Sequence, residues 1–291
     1  MNDPREAASS AERRAGPAAV PSIITLRADD GAAVEIHRHG AHVTSWRPAG
    51  DTNDRLFLSA RSQFGDSAAI RGGIPIVFPQ FGMEGPLPRH GFARTRSWAL
   101  GGIAREADGA AEAEFVLRDS DETRALWDAA FKAVLAVTVV GRQLEVSLRI
   151  ENVGQSAFSF TAALHTYLRV HDVDETEIIG LRGTLYRVSG DPTLRADDEE
   201  RVVARDYLDR VYVSAPPRLE LRERERALVI EAEGFPDAVV WNPGRERAAS
   251  IDDLEPGGER RFVCVEAAVI QTPVTLGAGR RWVGTQTLTA Q

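Results

Sequence analysis

The chain has 291 residues and carries Lys+Arg 35 against Asp+Glu 43, a formal net charge of −8. That sign opposes non-specific binding to nucleic acid or to an anionic membrane surface. One cysteine, Cys264, excludes an internal disulfide and fits a reducing, cytoplasmic setting. No uninterrupted apolar run approaches the ~20 residues of a membrane-spanning helix, and Asp3, Arg5 and Glu6 precede any apolar stretch, unlike a secretory signal.

Residues 1–21 are mostly Ala, Ser, Arg, Glu and Pro without periodicity, which predicts a flexible N-terminal tail. From residue 22 to 291 a single β-sandwich domain is expected, because short alternating apolar runs recur between Gly, Asn, Asp and Pro. In chain order these include Ala33–Ile36, His42–Trp46, Ala111–Leu117, Leu144–Ile150 and Ala227–Ala232. Helical signals are few: about two turns over Asp121–Ala130 and one over Ser59–Phe64. Without a strand-then-long-helix rhythm, the pattern predicts an all-β fold, a large antiparallel sandwich with one concave sheet face.

The segment from Arg71 to Arg96, RGGIPIVFPQFGMEGPLPRHGFARTR, sets Arg71, Arg89, Arg94 and Arg96 against Glu84 inside an acidic protein. Gly72-Gly73 permits close backbone approach, and Pro75, Pro79, Pro86 and Pro88 stiffen the connections. Such a loop suits a planar or tetrahedral anion, since each guanidinium presents a fixed fork of donors. Composition alone is equally served by solvated arginines. The Gly-Gly is not a nucleotide loop, for neither GxGxxG nor GxxxxGK[ST] occurs.

Two ionisable residues stand where strands are apolar. Ser159–Val170 reads as one strand, with Ala163, His165, Tyr167 and Arg169 on one face and Leu164, Thr166, Leu168 and Val170 on the other. Phe262–Ile270 is apolar at eight of nine positions, the exception being Glu266. A carboxylate there must be paired, protonated or open to a polar cavity; a structural salt bridge and a proton-transfer group with raised pKa both satisfy that requirement. Asp209, before Arg210-Val211-Tyr212, fits a sugar contact or an ordinary strand edge, and Trp241 reads as core. His37, His39 and His42 lie close together, but no second ligand cluster completes a metal pattern.

Several segments, in order, resemble the aldose 1-epimerase superfamily, and within it the hexose-6-phosphate mutarotases. They are GAHVTSW (40–46), IRGGIP (70–75), FPQFG (78–82), HGFAR (90–94), LHTY (164–167), GLRG (180–183), DRVY (209–212), VWNP (240–243) and VCVE (263–266). The resemblance implies a galactose-mutarotase-like β-supersandwich and interconversion of α and β anomers without metal or cofactor. His165 maps onto the family's acid and Glu266 onto its base, acting on opposite sides of one sugar ring. Arg71 and Arg94 map onto substrate-binding arginines that would hold a sugar phosphate, Asp209 onto a substrate-binding carboxylate, and His90 onto a residue lining the site. Arg89 stands where relatives often have Gln and alters that substrate contact; Trp127-Asp128 replaces a common Trp-Pro, and no acidic residue adjoins Tyr186. An epimerase for an unphosphorylated aldose and a non-catalytic carbohydrate-binding sandwich are the alternatives.

Overall fold

The computed structural model describes residues 22–65 and 68–291, so the tail expected over 1–21 lies outside the described residues. Three antiparallel sheets enclose one continuous core. The smallest joins Ile23–Arg27, Ala33–His37 and His42–Arg47. A nine-stranded sheet runs, in hydrogen-bonded order, Arg201–Val202, Glu177–Ile179, Arg218–Arg222, Ala227–Glu233, Arg281–Ala290, Gln143–Asn152, Phe131–Val140, Ala111–Arg118 and Ala99–Arg105. The eight-stranded sheet runs Arg195–Ala196, Leu185–Val188, Leu208–Val213, Asp237–Asn242, Phe262–Leu276, Phe158–Leu164 and Ile76–Val77, with Tyr167–Arg169 also paired to Phe262–Leu276.

Alternation explains most of these strands. In Ala111–Arg118 every second side chain is buried, Ala111, Ala113, Phe115 and Leu117, and Gln143–Asn152 repeats the pattern with Leu144, Val146, Leu148 and Ile150. These rows meet Leu164, Val263, Val265, Ala267 and Val269 of the eight-stranded sheet in the main core. Phe262–Ile270 is buried throughout because its other face is covered too: Cys264 and Ala268 belong to smaller apolar clusters on the far side. Glu266 shares that second face.

Helices are few but only partly where expected, for a short one over Gly244–Ala248 carries no signal in the pattern. Asp121–Leu126 is a short helix with Ser120 as N-cap, and it stops at Trp127, whose ring packs 4.9 Å from Phe158 and 5.6 Å from Phe78. Ser59–Phe64 forms no helix: the chain makes a turn there, Ser62 N–H donating to the Ser59 carbonyl, while the Ser59 hydroxyl binds Glu255. Asp209 sits on an interior strand, between Leu185–Val188 and Asp237–Asn242, rather than at an edge.

The strand expected over 159–170 is broken at His165-Thr166. His165 N–H donates to the Pro75 carbonyl and Tyr167 N–H to the Gly73 carbonyl, so the 72–75 segment takes over as backbone partner at the break. Gly72 lets the same segment lie against Phe57–Leu58, with φ +111° and space so tight that a Cβ would lie 2.3 Å from the Phe57 carbonyl oxygen. Gly72→Ala is therefore expected to destabilise the protein by at least about 2 kcal/mol, measurable as a lowered urea midpoint with an unchanged slope.

Candidate active site

Sheet register assembles the site. Asp209 pairs with Trp241, Trp241 with Cys264, and Cys264 with Tyr167, which forms one row across four strands. The next row runs Val211, Val239 and Glu266. Between the pairs Cys264–Tyr167 and Ala267–Leu164, the break at His165 brings its ring beside Glu266. His165 Nδ1 lies 3.3 Å from Glu266 Oε1, and the two side chains are 10% and 1% exposed. They stand side by side, not across a ring-sized gap. The strand break is the reason, since it turns the His165 ring onto the strand that carries Glu266.

Neither group is satisfied within the protein. His165 Nδ1 and Glu266 Oε2 are buried and have no hydrogen-bond partner. Buried atoms without a partner also occur on His42, Trp46 and Arg96; His165 and Glu266 differ in being two ionisable groups 3.3 Å apart. Two clefts of about 850 Å³ elsewhere are lined by paired charges, Arg55–Asp51 in one and Arg260–Asp174 in the other, and hold no such atom among the described residues. Burial pushes the Glu266 carboxyl well above its usual range, with Asp209 adding to the effect and Arg94 opposing it. Burial also holds the His165 imidazole well below its usual value, helped by His90, Arg94 and Arg71. Each favours its neutral form, so the pair retains one proton, on the carboxyl.

The other residues singled out in the sequence gather around this pair, with one exception. The His90 ring meets His165 edge-on at 5.5 Å. His90 adopts φ +66°, and its Nδ1 accepts from Gly82 N–H at 3.2 Å, which leaves the ring proton on Nε2. Burial, then Arg94, Arg89 and Arg71, lower its pKa to about 2, so it is a neutral donor. Arg71 donates from Nη1 to the Tyr167 hydroxyl at 3.0 Å and from Nε to Asp253 at 3.0 Å. Arg94 donates to the Arg89 carbonyl at 2.9 Å, and burial lowers its pKa to about 10. Arg71, Arg94, Tyr167 and Asp253 line a cavity of about 420 Å³. Asp209 accepts from the Tyr207 hydroxyl at 2.8 Å; burial raises its pKa, and the Tyr207 hydrogen bond and the exposed Arg89 side chain oppose that rise. Arg96 is the exception and turns away to Glu122.

Several neighbours escaped the sequence reading. Tyr167 stacks on His165 at 5.0 Å and 11°, and Trp241, expected in the core, is half-buried and edge-on to His165 at 5.8 Å. Gln286, from the nine-stranded sheet, accepts from the Thr166 hydroxyl and donates to the Val265 carbonyl, bracing the residue after His165 and the one before Glu266. His39 and His42 are occupied by the carbonyls of Ala68 and Gly72, and His37 stacks on Phe64. Among the described residues no group of three or more His, Cys, Asp or Glu is placed to hold a metal ion.

The large antiparallel sandwich thus carries, on one sheet face, a desolvated carboxyl–imidazole pair beside arginines. The chain matches the Aldose 1-epimerase family over residues 22–289 and belongs to that family. A protein of Cenchrus ciliaris with the provisional name glucose-6-phosphate 1-epimerase is 34% identical over 277 residues, covering 92% of this chain and 84% of its own. A similarly named protein of Escherichia coli is 35% identical over 233 residues, covering 79% and 77%. Among solved structures, a provisionally named mutarotase of Salmonella typhimurium superposes with TM-score 0.84 at 28% identity, covering 92% of this chain and 90% of that one. A galactose 1-epimerase of Lactobacillus acidophilus shares the fold at 16% identity, with TM-score 0.72 and coverage of 92% and 93%.

The pair's proton gives a stability signature. Unfolded, Glu266 and His165 together bind two protons below about pH 4.3, one up to about pH 6.5 and none above; folded, they keep one. Their contribution is therefore greatest between those values and falls on both sides. Above pH 6.5 it declines by up to about 1.4 kcal/mol per pH unit, until the folded pair releases its proton. In Glu266→Gln the folded site holds a neutral His165 and no titrating carboxyl, so this decline disappears. Urea unfolding from pH 6.5 to 8.5 is expected to show the variant gaining on the wild type, and a flat difference would mean that the folded wild-type pair holds no proton at pH 7.

Proposed function

We propose that this protein interconverts the α and β anomers of a hexose 6-phosphate, with Glu266 as base, His165 as acid, and Arg71 and Arg94 binding the phosphate. The observation that carries the reading is the contact between two buried, hydrogen-bond-deficient proton carriers, 3.3 Å apart, beside a cavity lined by two guanidiniums. The names of the Cenchrus and Escherichia relatives support the phosphorylated substrate. Asp209 and His90 contact sugar hydroxyls, and Arg89 completes the rim above Asp209.

Burial, with His90, Arg94 and Arg71 adding to it, disfavours an imidazolium at His165, and the bound phosphate offsets the part due to the arginines. The shared proton then passes from Glu266 to His165. The Glu266 carboxylate removes the proton from the anomeric hydroxyl while the imidazolium protonates the ring oxygen. The C1–O5 bond breaks with its electron pair going to O5, and the C1–O1 bond becomes the aldehyde carbonyl. This step leaves Glu266 protonated and His165 neutral, the state that burial favours. Rotation about C1–C2 presents the other carbonyl face, and the reverse transfers close the ring. No helix among the described residues is long and apolar enough to cross a membrane, and the buried, unbridged Cys264 fits a reducing cytoplasm.

Exchange NMR with glucose 6-phosphate tests the assignment. His165→Ala and Glu266→Gln are each expected to lower kcat/KM by about 100-fold or more. Wild-type-like exchange in Glu266→Gln removes it as the base. Arg94→Ala is expected to raise KM about tenfold with kcat little changed, because its loss removes both the phosphate contact and the charge that opposes the imidazolium. Equal acceleration of glucose and glucose 6-phosphate would move the reading to an unphosphorylated aldose.

A further inference from the structure

Arg187 is a buried cation with no role in the reaction as described. It lies on Leu185–Val188, and register places it in the Glu266 row: Arg187 opposite Val211, Val211 opposite Val239, Val239 opposite Glu266. Three strand spacings separate it from Glu266, about 14 Å across the sheet face. Its side chain is 9% exposed. Nη1 and Nη2 grip the two Glu84 oxygens at 2.8 and 2.9 Å, while Nε donates to Gln271 at 3.2 Å. A forked guanidinium–carboxylate contact fixes both distance and orientation.

Glu84 belongs to the 81–90 loop that ends in His90. That loop is braced internally. Leu87 exchanges two hydrogen bonds with the Gln80 amide, N–H to Oε1 at 2.9 Å and Nε2 to its carbonyl at 3.0 Å. His90 N–H donates to the Gly82 carbonyl, and Gly82 N–H to His90 Nδ1. The loop's outer side is open, Met83 being 69% exposed. Fixing Glu84 on Arg187 therefore fixes His90 at the other end, against His165.

We propose that the Arg187–Glu84 pair is a latch spanning the site, holding the 81–90 loop as a roof that presents the His90 Nε2–H to substrate beside His165. Arg187 and Glu84 are positioning residues, and they touch neither the reacting atoms nor the phosphate. The kinetic half of this inference rests on the anomer-exchange reading; the structural half does not.

The test combines kinetics with the protonation pattern of His90 in protein labelled with 15N-histidine. Wild type is expected to give one set of His90 signals with the proton on Nε2. Glu84→Gln and Arg187→Gln are each expected to shift these signals towards a mixture of tautomers and to lower kcat/KM for glucose 6-phosphate about tenfold. The double variant is expected to be no worse than the weaker single, as for two ends of one contact, and Arg187→Lys to recover part of the loss. Unchanged His90 signals in the single variants overturn the latch, as do losses that multiply in the double variant. A lowered melting temperature with kcat/KM and His90 signals intact also overturns it, since the pair is then structural alone. Should Arg187→Gln fail to fold, Glu84→Gln carries the same test at a more exposed carboxylate. If wild type does not accelerate anomer exchange, the functional reading fails, while the His90 signals still decide the latch.

Discussion

A carboxyl and an imidazole share a buried floor, and the rest of the structure serves that contact. Neither Glu266 nor His165 is stabilised where it stands, since each loses hydration and keeps an unsatisfied polar atom. The compensation comes from elsewhere, in the broad sheet-to-sheet core that includes Val263, Val265, Ala267 and Leu164 on the strands carrying the site. A local deficit of this kind persists only when the surroundings over-determine the geometry. Here they do so through antiparallel register on one side and the 72–75 backbone on the other.

Support also comes from behind the sheet. Gln286 ties Thr166 and Val265 together, and Tyr167 links the His165 ring to Arg71 through stacking and its hydroxyl. The Arg71 guanidinium and the imidazole–carboxyl pair are thus in mechanical contact. Asp253 holds the other edge of the Arg71 guanidinium, so that the side chain is oriented before any ligand arrives. An arginine held this way loses less conformational freedom on binding than a solvated one.

Much of this was legible in the chain. The alternating runs at Ala111–Leu117 and Leu144–Ile150 located strands within a residue or two, because each has one wet and one dry face. Glu266 stood out as a lone charge in a run buried on both sides. What local pattern does not encode is the tertiary partner. The break at His165-Thr166 depends on carbonyls some ninety residues earlier, and Arg71 finds Asp253 182 positions away. Ser59–Phe64 had local helical character but was claimed by Glu255, from across the chain. Arg187 and Glu84 meet across 103 positions, and nothing in either segment reveals that they face each other. Trp241 reads as core because an aromatic in a β-run usually is; it does pack against two apolar clusters, while its ring also meets His165 edge-on.

The two large sheets answer to different masters. Every side chain placed in the pocket comes from the eight-stranded sheet or its adjoining loops, and the nine-stranded sheet reaches inward to it chiefly through Gln286. The outer face of that second sheet, down to the exposed Ala99–Arg105 margin, is therefore a chassis whose sequence can drift, or be redesigned to carry charge or an attachment point, while the chemistry next door goes on undisturbed.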